Sequence, residues 1–93
     1  MTDYQLKVTK TAQKSILRLP GHVRQRARRI INSLATTPHP SEALELDLPD
    51  LPGRYRIRLE KWRIIYRVDE DTKTVTIQDV RLKTGPETYG DIE

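Results

Sequence analysis

Residues 53–68 restrict the fold of this chain more than any other stretch. Tyr55, Ile57 and Leu59 alternate with Arg54, Arg56 and Arg58. Beyond Glu60-Lys61 the alternation resumes, with Trp62, Ile64, Tyr66 and Val68 set against Arg63, Ile65 and Arg67. A period of two over this length predicts two half-buried strands. Folded about Glu60-Lys61, the hairpin places Leu59 opposite Trp62, Ile57 opposite Ile64 and Tyr55 opposite Tyr66. Apolar then meets apolar at each of these pairs, and that fixes the register. Glu60-Lys61 lacks the Gly or Asn that a two-residue turn favours. A four-residue loop over Leu59 to Trp62 keeps the same pairing.

The same register stacks Arg58 against Arg63 and Arg54 against Arg67, with Arg56 opposite Ile65. Like charges directly opposite cost roughly 0.2–1 kcal/mol each. Either these side chains splay into water and keep the sheet soluble, or the face binds a polyanion.

A chain of 93 residues is read as one domain, 1–93. A chain of this size supports one sheet with one layer of helices. Cysteine is absent, which excludes disulfides and thiolate metal sites. No apolar run approaches a membrane span, and the N-terminus lacks signal-peptide character. The expectation is a cytoplasmic protein with no membrane partner. The net charge of +4 and pI of about 9.6 point to an acidic partner. Residues 1–41 carry eight Lys or Arg against one Asp, whereas residues 42–93 carry nine against twelve Asp or Glu. Basicity in the second half is therefore a matter of arrangement.

Tyr4 to Val8 alternates as a short strand, and Thr9 or Thr11 can cap a helix after it. Ala12, Ile16 and Leu19, joined by Leu17, form its apolar face up to Pro20-Gly21. A second helix follows over about Val23 to Leu34, its core face being Val23, Ala27, Ile30, Ile31 and Leu34. Its other face carries Arg24, Arg26, Arg28 and Arg29, a solvated surface or an electrostatic track. Glu42 to Leu48 reads as a turn of helix or a surface link. The last strand, Thr74 to Lys83, has a parity slip: Val75 and Ile77 share one face, Val80 and Leu82 the other. A β-bulge near Gln78-Asp79 reconciles them and brings Arg81 and Lys83 to the arginine face.

His22 and His39 sit in turn-rich segments without metal-ligand spacing, so no metal or cofactor is expected. No glycine-rich phosphate loop and no nucleophile-like serine occur. Asp79, alone in mid-strand, is expected to pair with an arginine of the hairpin. The cationic cluster remains: Arg54, Arg56, Arg58, Arg63, Arg67, Arg81 and Lys83, with Tyr89 able to fold back on it. Arginine forks bind phosphates bidentately and stabilise the added charge of a phosphoryl transition state.

The runs Gly53 to Leu59 and Trp62 to Val68 resemble the signature of the RelE/ParE superfamily of toxins from bacterial toxin–antitoxin systems. The order strand, two helices, three-strand meander resembles that family over nearly the whole chain. The resemblance implies an α+β domain (β-α-α-β-β-β), mainly antiparallel, with two N-terminal helices on one face. RelE-type members are ribosome-dependent mRNA endonucleases. ParE-type members share the fold, lack the catalytic set and poison DNA gyrase. The RelE-type set carries over to Arg56 and Arg58 on the first hairpin strand, Arg63 on the second, Lys83 after the last, and Tyr89 six residues on. RelE-type members have lysines on the first strand and arginine after the last; here the types are exchanged. Since arginine hardly deprotonates, Lys83 or Tyr89 is assigned proton transfer, while Arg56, Arg58 and Arg63 clamp the phosphate. Arg54, Arg67 and Arg81 are assigned to RNA binding.

The leading reading is therefore a metal-independent, cofactor-free mRNA interferase acting on mRNA in the ribosome. A gyrase inhibitor without nuclease activity is the alternative, and an inert RNA-binding member of the fold is a third. A cognate antitoxin is implied as protein partner, an acidic segment that folds onto grooves left on the helices. DNA is reached only through that antitoxin.

Overall fold

A computed structural model describes residues 3–46 and 53–82. The elements run β1 (Gln5–Val8), α1 (Lys10–Leu17), α2 (Gly21–Ser33), β2 (Leu44–Glu45), β3 (Arg54–Leu59), β4 (Trp62–Asp69) and β5 (Thr74–Leu82). All five strands share one sheet in the order β1-β5-β4-β3-β2. β1 lies parallel to β5, and the other neighbours are antiparallel. This is the α+β architecture expected, with one strand more. Leu44–Glu45 within the Glu42 to Leu48 stretch is neither helical nor a free link. It pairs with Arg56 and Tyr55 at the sheet edge, and the Leu46 N–H donates to the Arg54 carbonyl at 2.8 Å. A two-residue ladder is too short to show a sequence period.

Thr9 starts α1. Its backbone is extended and its hydroxyl accepts the Ala12 N–H at 3.1 Å, satisfying one of the free donors of the first turn. The same hydroxyl donates to the Gln78 carbonyl at 3.0 Å, and the Thr9 N–H donates to Ile77 at 3.1 Å. The cap thus also anchors the helix to β5. α2 begins at Gly21, two residues before the expected Val23, because its first turn is polar and exposed and leaves no mark on apolar periodicity.

The core lies between the helices and one sheet face. Ala12, Ile16, Leu19, Val23, Ala27, Ile31 and Leu34 pack over Ile57, Ile64, Tyr66, Val75 and Ile77. Leu17, expected to join that face, is 63% exposed.

The hairpin register is the one the alternation dictates, from Arg54 opposite Arg67 to Leu59 opposite Trp62. Glu60-Lys61 forms the tight turn despite its composition, with Glu60 in the left-handed region at φ 55°. Its carboxylate accepts the Arg26 Nη1 at 2.9 Å and lies 3.6 Å from His22 Nε2, so α2 holds the turn in place. The bulge is present too. Ile65 faces Asp79 while Tyr66 faces Ile77, leaving Gln78 as the extra residue.

Gly53 enters β3 at φ 77°, and a Cβ built there would lie 3.0 Å from the Val68 carbonyl oxygen. The Val68 N–H closes the end of the hairpin by donating to the Gly53 carbonyl at 2.9 Å. Gly53→Ala is therefore expected to cost about 1–2 kcal/mol, a drop in Tm of roughly 4–16 °C measurable by circular dichroism.

Candidate functional site

Directly opposed residues on neighbouring strands share a face, so the register arranges the side of the sheet away from the helices in rows. The first row is Arg58, Arg63 and Arg81 across β3, β4 and β5. The second is Arg56, Ile65 and Asp79. The third is Arg54, Arg67 and Thr76, extended by Lys7 of β1. With strands ~4.8 Å apart and same-face residues ~6.6 Å apart along a strand, six arginines occupy a patch of only ~10 by ~13 Å.

Exposure within the patch is uneven. Arg58, Arg67 and Arg81 are exposed, Arg54 and Arg56 are half-buried, and Arg63 is only 4% exposed. Arg63 Nη1 donates to the Trp62 carbonyl at 3.1 Å, which sets the direction of its guanidinium. Buried Ile65 supplies an apolar floor beside it. Arginine stems pack on such a floor while their heads reach outward. Arg54, Arg58 and Arg67 form no ion pair among the described residues, and the Arg54 Nε is buried without a hydrogen-bond partner among them. A sheet face that gathers six arginines against one carboxylate, Asp79, in its rows has a positive potential.

Asp79 corrects one expectation. It does not pair with the hairpin; its partners are Ser15 Oγ at 2.7 Å, the Val80 N–H at 2.8 Å and Arg81 Nε at 3.0 Å. The bulge brings Asp79 onto the arginine face, but opposite Ile65, which stands between it and Arg56. Asp79 thus orients Arg81 at the end of the first row. Ser15, on α1, carried no signal in the sequence, since its partner is 64 residues away.

The remaining polar groups serve the scaffold. The Tyr66 hydroxyl donates to the Pro38 carbonyl at 2.9 Å, and burial pushes its pKa far above the ordinary phenol value. Tyr55 stacks on Tyr66 with ring centroids 5.6 Å apart, and burial raises its pKa as well. Both stay protonated at neutral pH and cannot serve as bases. His39 Nε2 lies 2.8 Å from Glu70 Oε2, and the Tyr4 hydroxyl donates to Oε1. These hydrogen bonds, Tyr4's foremost, hold the Glu70 carboxyl below the usual carboxylate range. Both histidines therefore sit in structural ties. Lys83 and Tyr89, assigned to proton transfer, lie outside the described residues; β5 is described as far as Leu82, opposite Trp62.

A second surface lies on the helical side. Between α1, α2 and β1 runs a groove of about 450 Å³, lined by Val8, Ile16, Leu17 and Ile31 with Arg28 and Asn32 at its polar side. It accounts for the exposure of Leu17.

The family model of the ParE toxin of type II toxin–antitoxin systems (parDE) matches residues 6–83. The chain belongs to the RelE/ParE superfamily of toxins. The toxin is similar to the archaeal RelE in the RelE–RelB complex of Pyrococcus horikoshii, with 31% identity, 89% of this chain and 97% of that one covered, and a TM-score of 0.73. Its fold also matches a chain of the RelBE2 toxin–antitoxin complex of Mycobacterium tuberculosis (23% identity, 86% and 98% covered, TM-score 0.73). A YoeB/ParE toxin from Agrobacterium tumefaciens shares it too (18% identity, 84% and 96% covered, TM-score 0.71). No curated protein matches the toxin's sequence. The sequence resemblance thus holds at the level of superfamily and fold, while RelE and ParE names both occur among the matches.

Proposed function

We propose that this toxin is an mRNA interferase of the RelE type, a ribosome-dependent endoribonuclease that inhibits translation. The observation that carries the reading is the row Arg58, Arg63, Arg81 with Arg56 beside it. A buried, oriented Arg63 flanked by exposed Arg58 suits a phosphodiester whose charge rises during reaction. Donors fixed in advance cost no reorganisation when that charge develops, and each contributes on the order of 10²–10³ in rate. A face evolved only for solubility does not require a buried guanidinium at its centre.

In this reading the 2′-OH of one nucleotide attacks the adjacent phosphate. The O2′–P bond forms, the P–O5′ bond breaks, and the products are a 2′,3′-cyclic phosphate and a 5′-OH. Arg56, Arg58 and Arg63 clamp the phosphate oxygens. Lys83 or Tyr89 carries the proton, since the arginines stay charged and the buried tyrosines stay protonated. Arg54, Arg67 and Arg81 hold the neighbouring backbone.

The protein partner is a cognate antitoxin, as in the RelE–RelB complex of the archaeal relative. The groove between α1 and α2 offers Leu17, Ile16 and Ile31 to an amphipathic segment, with Arg28 placed for its acidic side. The antitoxin's own DNA-binding part would carry the complex to DNA.

The ParE description of the matching family model favours a second reading, a gyrase inhibitor that cuts nothing. Mapping mRNA 5′ ends after brief induction separates the two. The interferase produces cuts within translated codons bearing 5′-OH ends, before any DNA damage. Intact mRNA together with a DNA-damage response rejects it in favour of the gyrase inhibitor.

A further inference from the structure

The third row of the face lies too far from the first for one phosphate to touch both. Arg67 and Arg63 are four residues apart on β4, a separation of ~13 Å. At that end the sheet opens a hollow of about 380 Å³ lined by Lys7, Arg67, Thr72, Thr74, Thr76 and Asp69. Four strands contribute to the row, because β1 runs parallel to β5 and sets Lys7 beside Thr76, itself opposite Arg67, which is opposite Arg54. Lys7 and Arg67 are exposed and make no ion pair among the described residues. The one carboxylate in the hollow, Asp69, is occupied with its turn, its Oδ1 accepting the N–H groups of Asp71 and Thr72 at 3.0 and 3.2 Å. Thr72 and Thr74 are engaged with each other at 3.0 Å, which leaves Thr76 as the hydroxyl donor of the row.

We infer that Lys7, Arg67 and Thr76, with Arg54, form a second phosphate subsite that holds the RNA backbone more than one nucleotide from the bond being cut. The subsite rests on the nuclease reading for its ligand but uses none of the clamp residues. Its consequence is direction. The RNA runs along the strands, from the row of Arg58, Arg63 and Arg81 to the row of Arg54, Arg67, Thr76 and Lys7, passing the row of Arg56 between them. Two separated anchors on a rigid sheet hold the reacting 2′-OH and phosphate in line better than one anchor does. The N-terminal strand, far from the arginine hairpin in sequence, then takes part in substrate binding through a single lysine.

The test pairs Lys7→Gln/Arg67→Gln with Thr76→Lys, all at exposed or half-buried positions of the sheet. Binding of fluorescent single-stranded RNAs of about three and about nine nucleotides is followed by anisotropy across a salt series. The double variant should bind the longer RNA on the order of tenfold more weakly at ~0.1 M salt, with a log–log salt slope shallower by about 1.4, or ~0.7 per lost contact. The shorter RNA, filling the clamp alone, should bind both proteins equally. Thr76→Lys should steepen the slope for the longer RNA by about 0.7. Unchanged slopes in both variants, or equal loss for both RNA lengths, overturn the subsite. So does polyglutamate competing as well as the longer RNA, which would make the row a docking site for an acidic chain. If wild-type toxin leaves mRNA intact in cells while these slopes still change as stated, the subsite stands and the nuclease reading falls.

Discussion

Arg58→Ala is expected to lower RNA cleavage on translating ribosomes by roughly 100–1000-fold while leaving the melting curve within about 2 °C of wild type. The two halves of that result have separate causes. Arg58 is exposed and forms no ion pair among the described residues, so its removal breaks no tie in the fold. It also stands opposite Arg63, so truncation relieves a like-charge pair. What is lost is a guanidinium opposite the buried one, at the place where the interferase reading has the transition state gain charge. Arg58→Lys keeps the charge but not the planar two-donor fork, and should fall between the two. Arg63→Ala is a poorer probe, because a side chain only 4% exposed is also part of the packing. Cleavage is read by primer extension on a translated message, stability by thermal denaturation. Full cleavage by Arg58→Ala removes the first row from the mechanism.

The parts of the fold legible in the sequence are those where one local pattern leaves a single solution. Pairing Tyr55 with Tyr66, Ile57 with Ile64 and Leu59 with Trp62 is the register that turns all six to the core side, and the hairpin adopts it. The parity slip between Ile77 and Val80 leaves room for one extra residue, and Gln78 is that residue. The features that escaped depend on distant partners. Glu60 tolerates a left-handed turn because Arg26 and His22 of α2 reach it. Asp79 turns to Ser15 and Arg81 because Ile65, not a cation, stands opposite it on β4. Alternation assigns Arg63 to the cationic face but says nothing of its burial. The parallel placement of β1, which brings Lys7 to the face, follows from where two helices return the chain, and a four-residue strand cannot state its own neighbour.

Lys83→Ala should remove mRNA cleavage and growth inhibition together, a loss of about 10²–10⁴ in rate if the lysine moves the proton. Arg56, Arg58 and Arg63 cannot accept a proton near neutral pH, so a set made only of them binds the phosphate without activating the 2′-OH. Lys83 follows directly on Leu82, the last described residue of β5, and Arg81 lies two residues before it in the first row. A lysine, unlike an arginine, can give up its proton where other cations crowd it, and on that ground the interferase reading assigns proton transfer to Lys83. Lys83→Arg then discriminates charge from proton transfer. If Lys83 only adds positive potential, arginine restores most of the rate; if it transfers a proton, arginine leaves cleavage as low as alanine does. Tyr89→Phe is the companion variant, expected to abolish cleavage only if the phenol carries the proton. Binding of the longer RNA should survive in Lys83→Arg, because the clamp arginines and the second row remain. Undiminished growth inhibition by Lys83→Ala, with mRNA intact, would exclude the interferase and leave the gyrase inhibitor as the function of this face.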